Sequence, residues 1–182
     1  MIALFVLLGQ CRISTTVKKV FEVINQMQAD GVIDIYALGG AMAANLYIDS
    51  FPTIDFDFFV SVSGASPALD PLRPRINYLE PLGYKPKGVE FEIEGELVQF
   101  IPFPDKLSED AANNARILEI DDVTFRAFAP EYVVAVMLKT GRLKDFARAK
   151  MFVDQGTVDM DTLQELIERF ELKEQWQKLI QF

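Results

Sequence analysis

The sequence predicts an α/β core running to about residue 128, followed by a helical segment over residues 129–182. Three observations lead there. Short apolar runs bounded by glycine, proline or paired acids alternate with helical spacing as far as Phe128. After Pro130 only helical spacing remains. The 182 residues, half of them hydrophobic, suffice for one packed unit without a disulfide or metal staple.

The elements follow in order. Ile2 to Leu8 is an apolar run of seven, too short to span a bilayer and without the basic start of a secretory leader. It reads as a buried strand or short apolar segment, and a cytoplasmic location is expected. Ser14, Thr15 and Thr16 offer capping hydroxyls, and Val17, Val20, Phe21, Ile24 and Met27 recur on one helical face that ends near Gly31. Ile33 to Leu38 reads as a buried strand stopped by Gly39-Gly40, with a small-residue helix expected over Ala41 to Ile48. Ser50-Phe51-Pro52-Thr53 is a turn before a strand from Ile54 to Val60. Residues 61–75 read as a loop, with a helix from near Pro71 to Leu82. Val89 to Ile101 alternates about Gly95 as a hairpin, and Ile117 to Phe128 pairs about Asp121-Asp122. Helices are expected over Glu131 to Thr140, Lys144 to Asp154, Asp161 to Phe170 and Leu172 to Ile180.

Composition narrows the chemistry. There is no histidine, so Ser–His–Asp and Cys–His catalysis and histidine-ligated zinc are excluded. A single cysteine excludes an intramolecular disulfide. The net charge of −9 argues against a general nucleic-acid coat or an anionic-membrane binder. What remains is chemistry by carboxylates, lysine, arginine, hydroxyls and backbone.

Asp55 and Asp57 lie two apart in an otherwise apolar strand, so both side chains leave the same face, about 6–7 Å apart along it. Phe56 and Phe58 point the other way. Two ionised carboxylates side by side repel and lose hydration unless something positive compensates. Mg²⁺ held by one or two carboxylates plus substrate phosphates would do so. The alternative is an edge strand whose aspartates are simply solvated. Gly39-Gly40 sits between a strand and a helix, where glycine permits positive φ and close approach of a phosphate to backbone. The alternative there is a tight turn with no ligand. Neither a G-x-G-x-x-G fingerprint nor a P-loop is present.

Together, Leu38-Gly39-Gly40-Ala41 and Thr53-Ile54-Asp55-Phe56-Asp57-Phe58-Phe59 resemble the signature of the nucleotidyltransferase superfamily. Pro130-Glu131-Tyr132, Lys139 and Gly141-Arg142-Leu143-Lys144-Asp145 resemble a block of its AbiEii-like group, which includes toxins of toxin–antitoxin pairs. The resemblance implies a mixed sheet with helices packed on it. It implies transfer of a nucleoside monophosphate from an NTP to a tRNA, protein or small-molecule acceptor. Asp55 and Asp57 would bind one or two Mg²⁺. Gly39, Gly40, Thr53, Lys139 and Arg142 would bind the nucleotide, with Lys144 and Asp145 beside the reacting groups. A toxin role would bring an antitoxin partner, and a homodimer is the other partner expected.

One position departs from the family pattern. A third carboxylate is expected on a later strand, and the matching residue is Gln99. Glu92, Glu94 and Glu96 are the substitutes the sequence offers. The alternative function is therefore a nucleotide- or partner-binding module without turnover. D-x-D also occurs in metal–sugar-nucleotide sites of glycosyltransferases, but the chain is short for that fold and Gly39-Gly40 has no role there.

From Lys139 to Lys150 five cations, Lys139, Arg142, Lys144, Arg148 and Lys150, accompany the single anion Asp145. Lys144 and Arg148 lie four apart on one helical face; beside the aspartate pair they would clamp phosphates or a nucleic-acid acceptor, and otherwise the cluster is a solvated helix face with local ion pairs. The terminal helices carry Leu163, Leu166, Ile167, Phe170, Trp176 and Leu179, read as core packing or as a partner surface.

Overall fold

The computed structural model describes residues 15–49, 53, 55–61 and 73–181. The expected N-terminal apolar run, the turn at residues 50–52, most of the loop at residues 61–75 and the start of the helix near Pro71 lie outside these residues.

Seven strands form one mixed sheet in the order β3-β4-β5-β2-β1-β7-β6. They are β1 (Tyr36–Leu38), β2 (Asp55–Val60), β3 (Pro86–Lys87), β4 (Glu90–Ile93), β5 (Glu96–Pro102), β6 (Arg116–Ile120) and β7 (Val123–Ala127). The described helices are α1 (Thr15–Ala29), α2 (Gly40–Ala44), α3 (Arg73–Leu79), α4 (Lys106–Asn113), α5 (Pro130–Thr140), α6 (Leu143–Asp154), α7 (Met160–Arg169) and α8 (Lys173–Ile180). Strand β2 runs parallel to β5 and antiparallel to β1, and β1 runs parallel to β7. The aspartate pair therefore lies on an interior strand, which removes the solvated-edge reading.

Alternation along β2 divides the sheet's two faces. Phe56 and Phe58 are buried on one face. There the Phe21 ring of α1 stacks on Phe125 at 4.1 Å and meets Phe56 and Phe58 edge-on at 6.1 and 5.9 Å. The apolar face of α1, Val20, Ile24 and Met27, is fully buried. Asp55, Asp57 and Phe59 leave the opposite face. Phe59 packs on Phe128 at 4.9 Å, and α5 is sunk into the interior with Val134, Ala135 and Leu138 fully buried.

Several elements differ from expectation. Strand β1 has three residues rather than six, because Ile35 exchanges bonds with Ser61 outside the regular ladder. Helix α2 stops after five residues, and residues 45–47 continue as turns. Helix α4 was not expected. Asp105 caps it by accepting from the Ser108 N–H at 2.9 Å, and Leu107, Ala111 and Ala112 fill its buried face. The short β3 was also missed. The hairpin of β4 and β5 turns at Glu94 and Gly95, both left-handed at φ 54° and 88°. Asp121 and Asp122 do the same between β6 and β7 at φ 46° and 66°.

Candidate active site

A cleft of about 550 Å³ opens on the aspartate face of β2. Its polar wall is Thr53, Asp55, Asp57 and Gln99 on one side and Arg142, Lys144, Asp145 and Arg148 of the α6 region on the other. Its apolar end is made by Phe59, Ile101, Phe128, Val133, Val136 and Met137.

The two glycines have different tasks. A Cβ on Gly39 would come within 2.5 Å of the Phe59 ring, so Gly39 allows the turn to lie flat on the sheet. A Cβ on Gly40 would sit 2.0 Å from Asp57 Oδ2, and Gly40 adopts φ +60°. Only glycine admits the Asp57 carboxylate there. The Gly39 N–H also donates to the Asp57 carbonyl at 2.8 Å, pinning the turn to β2. Gly40 lines the cleft, whereas Gly39 packs against Phe59 and Phe128. Helix α2 is too short to bring much of a macrodipole, so the expected phosphate attraction from a helix end is weak here.

Asp55 accepts a hydrogen bond from Thr53 Oγ1 at 3.0 Å, which fixes its carboxylate. Burial pushes the Asp57 carboxyl up to about 6, and the adjacent Asp55 charge adds to the rise. Arg142 and Lys144 act on it in the opposite sense, and Glu90 pushes it further up. The two cations are therefore close enough across the cleft to act on Asp57.

Asp145 is almost wholly buried and accepts from Arg142 Nε at 2.6 Å and from a second guanidinium nitrogen at 3.4 Å. Arg142 remains largely exposed at the cleft mouth while Asp145 holds its fork. Lys139 is not among the cleft residues. Its Nζ lies 2.9 Å from Asp105, because Gly141 at φ 68° ends α5 and turns the chain before Arg142 begins α6. Glu131 and Tyr132 are also framework residues. Glu131 accepts the Asp159 N–H at 2.9 Å at the start of α7, and Tyr132 donates to Asp110 at 2.6 Å.

Parallel pairing of β2 with β5 sets Gln99 directly beside Asp57, as the sequence match implied. Of the expected substitutes, Glu92 shares the aspartate face, opposite Leu97, which itself lies opposite Asp55. Glu94 is tied to Lys19 and Tyr84, Glu96 accepts from Thr16, and Glu92 stands exposed near Lys87. Sequence reasoning passed over Glu90, which β4 places opposite Gln99. Arg148 of the basic cluster, expected to clamp phosphates if placed beside the aspartate pair, lines the cleft.

The donor set fits a hard divalent cation. Asp55 and Asp57 present oxygen ligands from one face. Among the described residues no group of three or more acidic, cysteine or histidine side chains could hold a metal by itself. Further ligands would come from substrate phosphates. Among the described residues no helix is long and apolar enough to cross a membrane.

This architecture is a nucleotidyltransferase-like fold. It is similar to a solved antigenic nucleotidyltransferase-like protein from Paracoccidioides brasiliensis, with a TM-score of 0.58 and 16% identity over 92% of this chain and 88% of that one. It is similar to the antibiotic-resistance factor ANT(2'')-Ia in solution, with a TM-score of 0.51 and 14% identity over 91% and 97% of the two chains. Against ANT(2'')-Ia in complex with adenylyl-2''-tobramycin the TM-score is 0.50 and the identity 16%, over 89% and 99%. No family model matches the chain, and no curated protein matches it in sequence.

Proposed function

We propose that the protein transfers a nucleoside monophosphate from an NTP to a hydroxyl-bearing acceptor, with Mg²⁺ bound. The observation that carries this reading is the Asp55–Asp57 pair set against Gly40 and faced across the cleft by Arg142 and Lys144. The fold it shares with ANT(2'')-Ia, solved with adenylyl-2''-tobramycin, supports it.

Asp55 and Asp57 would hold one or two Mg²⁺, which neutralise phosphate charge when bound. Thr53 keeps Asp55 oriented. Gly40 admits the Asp57 carboxylate and lines the cleft beside it. The acceptor oxygen forms a bond to the α-phosphorus, and the bond from that phosphorus to the bridging oxygen breaks. Pyrophosphate leaves with the electron pair, and Lys144 and Arg142 stabilise its charge. Asp145 keeps the Arg142 guanidinium at the cleft mouth. The apolar end by Phe128 and Met137 shelters the less polar part of the substrates. Lys139 has no place in this scheme, since Asp105 holds it elsewhere. A tRNA end, a protein hydroxyl and a small molecule all meet the acceptor's chemistry. A toxin role with an antitoxin partner rests on the AbiEii-like block alone.

Gln99 favours a second reading, nucleotide binding without turnover, because an amide beside Asp57 cannot accept the acceptor's proton. Pyrophosphate release with each NTP separates the two. Transfer by the wild type, abolished in Asp55→Asn and Asp57→Asn proteins that remain folded, is the expected result. Full activity in both variants would end the assignment.

A further inference from the structure

We propose that Glu90 is the carboxylate that accepts the proton of the attacking hydroxyl, in place of the missing acid at position 99. The inference rests on the nucleotidyl-transfer reading above.

The geometry comes from sheet register. Asp57 lies opposite Gln99, and Gln99 lies opposite Glu90. Residues directly opposite share a face, so Asp57, Gln99 and Glu90 form one row across β2, β5 and β4 on the aspartate face; Asp57 and Gln99 line the cleft, and Glu90 stands one strand beyond its lining. The burial of β4 agrees, since Phe91 and Ile93 turn to the core and Glu90 does not. Phe91 meets Phe100 edge-on at 5.8 Å on the far face, which locks the register. Among the described residues the Glu90 side chain makes no hydrogen bond and no ion pair, and Lys87 opposite it lies 3.7 Å from Glu92 instead. Glu90 still acts on the Asp57 charge.

Distance decides the role. Two strand spacings put the backbones of β2 and β4 about 10 Å apart. That is wide for carboxylates sharing one ion, in keeping with the lack of any three-acid metal group among the described residues. It leaves room for an acceptor oxygen above Gln99, between the phosphate held at Asp57 and the Glu90 carboxylate. Gln99 can donate to that oxygen but cannot take its proton. As the oxygen bonds to the α-phosphorus, its proton passes to Glu90 and pyrophosphate departs. Protonated Glu90 then returns the proton to solvent.

The test uses the full chain with Mg²⁺ and [γ-³²P]NTPs. Protein is in molar excess, so that water, the chain's own hydroxyls and added bulk tRNA are all offered as acceptors. Glu90→Gln is expected to lower pyrophosphate release about 10²–10⁴-fold. Its melting temperature without ligand and its rise on adding NTP with Mg²⁺ should stay within about 1 °C of wild type, whereas Asp57→Asn loses the rise. Release by Glu90→Gln within threefold of wild type would overturn the role and leave the reading intact. Loss of release together with loss of the nucleotide-dependent rise would also overturn it, making Glu90 a binding residue. No release by the wild type with any NTP would remove the transfer reading and the role together.

Discussion

Replacing Asp57 by asparagine should make the apo protein more stable, in a way that depends on pH. The ordinary carboxyl value is 3.8, and burial with the adjacent Asp55 charge lifts Asp57 to about 6. At 1.36 kcal/mol per pH unit, that gap corresponds to about 3 kcal/mol of unfavourable ionisation in the folded state. The folded value is the higher one. Relative to a neutral side chain, wild type is therefore unpenalised below about pH 4, loses stability as pH rises toward about 6, and carries the full penalty above it. Asparagine keeps the shape and removes the charge. Without divalent cations at pH 7.5, Asp57→Asn should melt roughly 6–12 °C higher, at about 2–4 °C per kcal/mol for a chain of this size. The difference should shrink toward zero by pH 4. Calorimetric melts of both proteins from pH 4 to 8 supply the comparison. A variant that melts lower than wild type at pH 7.5, or a difference that does not vary with pH, would refute the electrostatic reasoning. Gained stability with lost function is what a functional carboxylate pair entails.

Other outcomes follow from the same geometry. Gly40→Ala forces a side chain into positive φ and onto the Asp57 carboxylate, so it should cost about 2 kcal/mol and remove nucleotide binding, read by melting with and without NTP. Lys144→Ala should weaken NTP affinity measured by calorimetric titration about tenfold, whereas Lys139→Ala should change it less than twofold because Lys139 is committed to Asp105. Asp105→Ala removes the α4 cap and should cost about 1 kcal/mol in denaturant melts while leaving NTP affinity unchanged.

Much of this was legible in the residues. Alternation alone placed Asp55 and Asp57 on one face and Phe56 and Phe58 on the other. The Gly39-Gly40 turn was legible as a place of close approach, although the sequence did not show that Gly39 faces Phe59 while Gly40 faces Asp57. Helix α4 escaped because it is polar, with only Leu107, Ala111 and Ala112 on its buried side, and its Asp105 cap was not weighed. Lys139 looked like a neighbour of Arg142 because the two are close in sequence. The left-handed Gly141 between them sends their side chains to different partners, which spacing does not reveal. Glu90 was within reach of the sequence. A two-residue turn at Glu94-Gly95 pairs residue 90 with 99, and position 99 had already been matched to the missing carboxylate. The parallel pairing that lines this row up with Asp57 is a long-range fact that no local pattern carries.

The most direct test of the central claim is the rise in melting temperature of the wild-type protein with each of the four NTPs, with and without Mg²⁺, set against the same rise in Asp57→Asn. A ligand at about 100 times its Kd adds roughly 2.7 kcal/mol, or roughly 5–10 °C for this chain. The expected result is a rise that needs NTP and Mg²⁺ together and that disappears in the variant. No rise with any nucleotide, or a rise of equal size in Asp57→Asn, would contradict it.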